Sequence, residues 1–188
     1  MTPFITTFTG KKVNPLDLRP EDIDIRDIAH HLACLNRFVG ALRRPVSIAQ
    51  HSVFVSRLLD GTGWEKEGLF HDASETYLGD VTKWIKRSPQ MAAYREAEQQ
   101  AWFTICKALH LRVNGDPDFC PVVREADDLM VRFENLRGMS NPQHMFELAS
   151  HPRPTQEEIE RVGAWSPWTW QASERGFFDH ARLLGFDI

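Results

Sequence analysis

The adjacent pair His71-Asp72 concentrates the chemistry of this 188-residue chain. His51 lies upstream of it, Glu75 follows within one helical turn, and Asp127 lies downstream in the acidic pair Asp127-Asp128. Imidazole nitrogens and carboxylate oxygens form a borderline-hard donor set that suits a divalent transition metal, and an incomplete protein shell leaves positions open for water. Such a metal lowers the pKa of bound water from about 15.7 towards 7, so hydroxide becomes available at neutral pH for attack on phosphorus or carbon. The residue types and their order therefore predict a hydrolytic metal site.

These side chains can meet only if helices turn them inward. His51 is one turn from Ile48 and from Val55, with Phe54 and Leu58 nearby, which places it on an apolar stripe. A single inward His is usually a core residue with satisfied nitrogens, and taken alone His51 reads that way. Glu75 is at i+4 from His71 and i+3 from Asp72, so all three can face one cavity. Two carboxylates and a His on one turn are costly to bury unless metal or hydrogen bonds compensate them. Leu69-Phe70 before the turn and Tyr77-Leu78 after it disfavour a freely solvated face. Asp127 is four residues after Val123 and three before Met130, on the buried stripe, whereas Asp128 is four from both Arg124 and Arg132. Asp127 is thus the ligand candidate and Asp128 belongs to a solvated ion-pair surface.

The supporting elements are mostly helical. Phe4 to Val13 reads as a short hairpin turning at Thr9-Gly10-Lys11. Ile25, Ile28, Leu32 and Leu35 stripe a first helix. Ser47-Ile48-Ala49-Gln50 reads as a capping box opening a helix from about Ile48 to Leu59, ended by Gly61 and Gly63. A third helix is predicted from roughly Trp64 to Leu78, carrying His71, Asp72 and Glu75 and stopping at Gly79-Asp80. Tyr94, Ala101, Trp102, Ile105 and Leu109 stripe a fourth, and Asn114-Gly115-Asp116-Pro117 breaks the chain. Pro121 opens a fifth helix that runs to about Leu136-Arg137, before Gly138. Thr155-Gln156-Glu157-Glu158 is a second capping box, and Ser166-Pro167 starts a last helix with Trp170, Phe177, Ala181 and Leu184 inward. With no repeat and no long linker, residues 1–188 read as a single mainly α domain, a helical bundle with a short N-terminal β-hairpin.

Composition sets outer bounds. With 42% hydrophobic and 26% charged residues the chain reads as an ordinary soluble globular protein, long enough to bury a core without disulfides. Its net charge of −4 argues against a broad cationic surface for duplex nucleic acid, so an anionic substrate must meet a local cluster. Arg37, Arg43, Arg44, Lys83, Lys86 and Arg87 are the cations available to it. MTPFITTFTGKKV lacks the pattern of a signal peptide and no apolar run approaches a membrane span, which makes the cytoplasm the expected compartment. Cys34, Cys106 and Cys120 form no CxxC and read as reduced, partly buried thiols.

The local strings around the candidate ligands resemble the HD-domain phosphohydrolases, whose signature is His, then His-Asp, then a distant Asp on separate helices. Ser47-Ile48-Ala49-Gln50-His51-Ser52 resembles the segment with the first ligand. His71-Asp72-Ala73-Ser74-Glu75, followed by Gly79-Asp80 and Lys86, is similar to the 5′-deoxynucleotidase subgroup, and Arg124-Glu125-Ala126-Asp127 to the segment with the last ligand. The resemblance runs from about Phe8 to the C-terminal helix and is greatest to small bacterial and phage members, which include dATP triphosphohydrolases. It implies His51, His71, Asp72 and Asp127 as metal ligands, Glu75 as the acid/base group orienting the attacking water, Arg37 as a phosphate contact and Asp80 beside the deoxyribose. Lys86 joins Arg37 in holding phosphate. The implied cofactor is a divalent transition metal (Zn, Co or Mn), with additional Mg accompanying a triphosphate substrate. The implied partner is a small-molecule nucleotide, not a nucleic acid polymer or a membrane, bound by a homo-oligomer. One departure is Gly40-Ala41, where many small relatives carry Gly-His.

Within that resemblance the expected reaction is hydrolysis of a deoxynucleoside triphosphate, with a 5′-deoxynucleotidase acting on monophosphates as the alternative. A regulatory module that binds nucleotide without turnover is disfavoured by Glu75, which such a module need not retain. A two-iron oxidative enzyme would need further His or carboxylate ligands, and none is at ligand spacing. His30, His31, His110, His144, His151 and His180 lack a partner set and read as structural or exposed. Trp165, Trp168 and Trp170 read as core or subunit contact rather than a base-stacking platform.

Overall fold

Thr9-Gly10 turns the chain as the sequence predicts, with Gly10 at φ +84°, a conformation side-chain-bearing residues rarely adopt. In the computed structural model, which describes residues 3–112, 120–144 and 152–188, β1 (Ile5–Thr6) pairs antiparallel with β2 (Lys12–Val13), Ile5 opposite Val13. So short a hairpin is marginal alone. It is pinned by Asp27, a fully buried carboxylate that accepts from the Thr9 amide at 2.6 Å and the Thr9 hydroxyl at 2.9 Å. The break predicted at Asn114-Gly115-Asp116-Pro117, and His151, lie outside the described residues.

The helices follow the apolar stripes. Asp24 caps α1 (Ile25–Cys34), and Ile28 and Leu32 are fully buried beneath it. Ser47 caps α2 (Ile48–Leu58), which is buried at every position but Arg57 and packs against five other helices. The predicted capping box forms only in half. Ser47 accepts from the Gln50 amide at 3.1 Å, but the Gln50 side chain turns away to donate to Ser166 O at 2.8 Å and accept from Trp168 N at 2.9 Å. A buried amide that clasps a distant backbone segment satisfies both of its polar ends, which a cap contact would not.

The third predicted helix is not continuous. α3 (Glu65–Phe70) and α4 (Glu75–Leu78) are separated by a tightened turn in which Ala73 N bonds Phe70 O, Glu75 N bonds Asp72 O and Thr76 N bonds Ala73 O. Bonds between residues three apart wind about 3.0 residues per turn, so side chains at i and i+3 eclipse. Asp72 and Glu75 are such a pair. Close contact of α3 with α2 is allowed by Gly68, where an added Cβ would lie 3.2 Å from Ser56 Cα.

After Gly79 come a short unpredicted helix α5 (Lys83–Lys86), the long α6 (Ala92–Leu109) and α7 (Pro121–Gly138), with Pro121 in the first turn as expected. The Thr155 capping box is complete and opens α8 (Gln156–Val162). The last helix, α9 (Trp170–Leu183), starts later than Ser166-Pro167 because Thr169 is its cap; Phe177 and Ala181 are fully buried, but Trp170 is exposed. The protein is therefore mainly helical with an N-terminal hairpin. α2 runs between two apolar clusters, one with α1, α3, α6 and α9 around Phe70 and Ile105, the other with α7 and α8 around Met130 and Phe133. No described helix is long and apolar enough to cross a membrane.

Candidate metal centre and its cavity

Three elements bring four candidate donors together. α2 supplies His51, the tightened turn supplies His71 and Asp72, and α7 supplies Asp127. His51 Nε2 lies 3.0 Å from Asp127 Oδ1 and 3.9 Å from Asp72 Oδ2, while His71 Nε2 lies 3.3 Å from Asp72 Oδ2 and 3.8 Å from Asp127 Oδ1. Among the described residues, His51, His71 and Asp127 form the group of donor atoms that all lie within 4.8 Å of one another. Asp72 stands beside them.

Each imidazole is oriented from behind. His71 Nδ1 donates to Gly68 O at 2.8 Å, and because a carbonyl only accepts, the Nε2 lone pair is left facing the cluster. That Nε2 is buried and has no hydrogen-bond partner among the described residues. His51 Nδ1 donates to Glu134 Oε1 at 3.0 Å, so this ring has a carboxylate at each nitrogen. Such a ring must either carry a second proton or share its Nε2 side with a cation, and an inward-facing Nε2 on His71 is what a cation would also use. The donor set and its buried, partly unpartnered geometry fit a divalent transition ion.

Glu134 is the residue that the sequence reading missed. It is fully buried, oriented towards His51, and also accepts from Arg37 Nε at 3.2 Å. Its position seven residues after Asp127 puts it on the same face of α7, two turns along, and a carboxylate on an otherwise apolar stripe was the available signal. Glu134→Gln is expected to weaken metal binding about 10–100-fold, the usual effect of losing an orienting carboxylate, with the fold retained. Metal titration followed by a thermal melt of the same sample would check it; an unchanged metal affinity would make Glu134 only an anchor for Arg37.

The centre opens into a cavity of about 480 Å³. Glu75, Asp80, Arg37 and Lys86 all line it, together with His71, Asp72 and Asp127. Glu75 is 3% exposed; its Oε1 accepts from Lys86 Nζ at 3.2 Å and its Oε2 has no hydrogen-bond partner among the described residues. Burial, reinforced by the nearby Asp72 charge, pushes the Glu75 carboxyl well above its ordinary range. Burial also raises Asp80, while Asp127 is held well below despite its burial by the hydrogen bond to His51 and the adjacent His71. The Lys86 ammonium is raised because Glu75 and Glu98 outweigh the cost of its burial. Tyr94 Oη fastens the Gly79-Asp80 corner by donating to Gly79 O at 2.7 Å.

Several outer assignments change. Asp128 is not a solvated partner of Arg124 and Arg132: it is half-buried in the cavity wall and accepts from Lys83 Nζ at 2.9 Å, while Arg132 pairs with Glu158 at 2.7 Å. His144 lines the cavity and meets Asn141 there, whereas His30, His31 and His180 bond Glu174, Thr76 O and Ser56 and are structural. Of the cations, Arg43 is spent on the Gly138 carbonyl and Arg87 stacks on Trp84. Trp165 packs on Phe133 and Trp168 on Phe54, as core; the aromatics that line the cavity are Phe38, Trp84 and Trp102. Phe38 and the following Val39 both have φ of +54°, a costly left-handed pair directly after Arg37. Cys106 and Cys120 are buried free thiols, and Cys34 is exposed.

Comparison with known proteins gives no matching family model. Over 131 residues the chain is 40% identical to YfdR, an uncharacterized protein of Escherichia coli, the match covering 70% of each. Over 139 residues it is 32% identical to an uncharacterized protein of Rhodobacter capsulatus, covering 67% of this chain and 68% of the relative. The chain belongs to the family that includes YfdR.

Proposed function

We propose that the protein is an HD-type metal-dependent phosphohydrolase of deoxynucleotides, with a deoxynucleoside triphosphate such as dATP as its first substrate. The observation that supports this best is the convergence of His51, His71, Asp72 and Asp127 around one buried point, with the unpartnered Glu75 Oε2 in the same cavity. A divalent transition ion (Zn, Co or Mn) held there would polarise water and offset phosphate charge, with Mg accompanying a triphosphate. The chain's own groups do the rest. Glu75 takes the proton of the attacking water at Oε2, its other oxygen steadied by Lys86. Arg37, held by Glu134 and Asp72, places its guanidinium beside the phosphate, and Asp80 favours a sugar without a 2′-hydroxyl. Non-catalytic nucleotide binding is the weaker reading, since it leaves Glu75 without a use. The compartment proposed is the cytoplasm and the assembly a homo-oligomer.

A panel of nucleotides with Zn, Co or Mn, its phosphate products resolved by chromatography, tests this reading. Inorganic triphosphate released from dATP is expected and places attack at the α-phosphorus. Inorganic phosphate from a deoxynucleoside monophosphate instead would move the assignment to 5′-deoxynucleotidase, in which the same residues act. Turnover of no nucleotide with any of these metals would overturn the proposal.

A further inference from the structure

Four cations line the cavity: Arg37, Lys83, Lys86 and Arg124. Three are already held by carboxylates. Arg37 donates to Glu134 and Asp72, Lys83 to Asp128 at 2.9 Å, and Lys86 to Glu75 and Glu98. An incoming phosphate would have to compete with those carboxylates, and freeing Lys86 would also release Glu75. Arg124 differs. It is exposed at the cavity wall, and its guanidinium has no partner among the described residues. It also lies in the first turn of α7, where the helix field favours an anion.

Its place along α7 sets what it can reach. Arg124 precedes Asp127 by three residues, a rise of about 4.5 Å along the helix. A group held at Asp127 is therefore one turn away from the Arg124 backbone, and a long Arg side chain spans about that distance again into the cavity. We propose that Arg124 is the anchor for the outer phosphates of a triphosphate, gripping the part of the chain that leaves while the inner phosphate sits at the metal ligands. This rests on the phosphohydrolase reading above and adds a specificity residue to it. Arg is suited to the task because its planar fork can hold two phosphate oxygens at once, and the charge on the departing triphosphate grows as the bond to the α-phosphorus breaks.

The experiment compares wild type, Arg124→Ala and Arg124→Lys as metal-loaded proteins by calorimetric titration with inorganic tripolyphosphate and, separately, with orthophosphate. Arg124→Ala is expected to weaken tripolyphosphate about tenfold or more, the usual consequence of losing a charge-assisted contact, while orthophosphate stays within about twofold. Arg124→Lys should recover part of the loss, and metal content and melting temperature should match wild type, which a purely structural residue would not show. Equal tripolyphosphate affinity in wild type and Arg124→Ala overturns the assignment, as does an equal loss for both anions or a wild type that binds no tripolyphosphate. The nucleotide panel separates this from failure of the underlying reading: a protein that hydrolyses nucleotides with Arg124→Ala unimpaired in tripolyphosphate binding loses only the Arg124 anchor.

Discussion

Glu75→Gln is expected to keep the fold and the bound metal while lowering turnover by about 10²–10⁴-fold, the usual contribution of a positioned acid or base. The substitution preserves shape in a site where shape is tightly set: Glu75 is 3% exposed and begins α4 directly after the tightened turn. What it removes is the proton acceptor at Oε2, the oxygen that has no hydrogen-bond partner among the described residues. Lys86 keeps a carboxylate partner in Glu98, so the substitution does not strand a buried ammonium. Steady-state kinetics with metal content measured on the same preparation checks the expectation. An unchanged kcat with a raised KM would make Glu75 a binding residue instead.

The second large effect separates two neighbouring carboxylates. Asp127→Ala is expected to abolish activity and most metal binding, because Asp127 is the carboxylate closest to His51 Nε2, at 3.0 Å, and its loss leaves two inward imidazoles with one ligand carboxylate. Asp128→Ala should retain the metal, since Asp128 pairs with Lys83 in the cavity wall at 2.9 Å and is not one of the clustered donors. Its effect should be confined to substrate affinity, through a Lys83 no longer held.

Much of this was readable in the residues. The stripes of α1, α2 and α7 repeat every three to four positions, and burial of Ile28, Leu32, Val123 and Met130 follows that repeat. His51 and Asp127 occupy stripe positions, so helical phase alone directs them to the interior. What was not readable depends on partners far along the chain. Helical periodicity from Trp64 to Leu78 carries no mark of the tightened turn at His71-Asp72, which follows directly on the segment where Gly68 lets α3 approach α2. Gln50 forsakes its local cap for Ser166 and Trp168, more than a hundred residues away. Asp128 forsakes two arginines at helical spacing for Lys83, because a partly desolvated pair is stronger than an exposed one on a helix surface. Glu134 is the costliest omission: its place on the apolar stripe of α7 marks it for burial, but its partners His51 and Arg37 become visible only when α2 is laid against α7.

The most direct measurement is the metal content of the purified protein and its Asp127→Ala and Asp128→Ala variants, by elemental analysis before and after chelator treatment. About one tightly held transition metal per chain is expected in wild type and Asp128→Ala, lost with activity on chelation and largely missing from Asp127→Ala. Full activity in chelator-treated wild type, together with as much metal in Asp127→Ala as in Asp128→Ala, would contradict a metal centre built on His51, His71, Asp72 and Asp127.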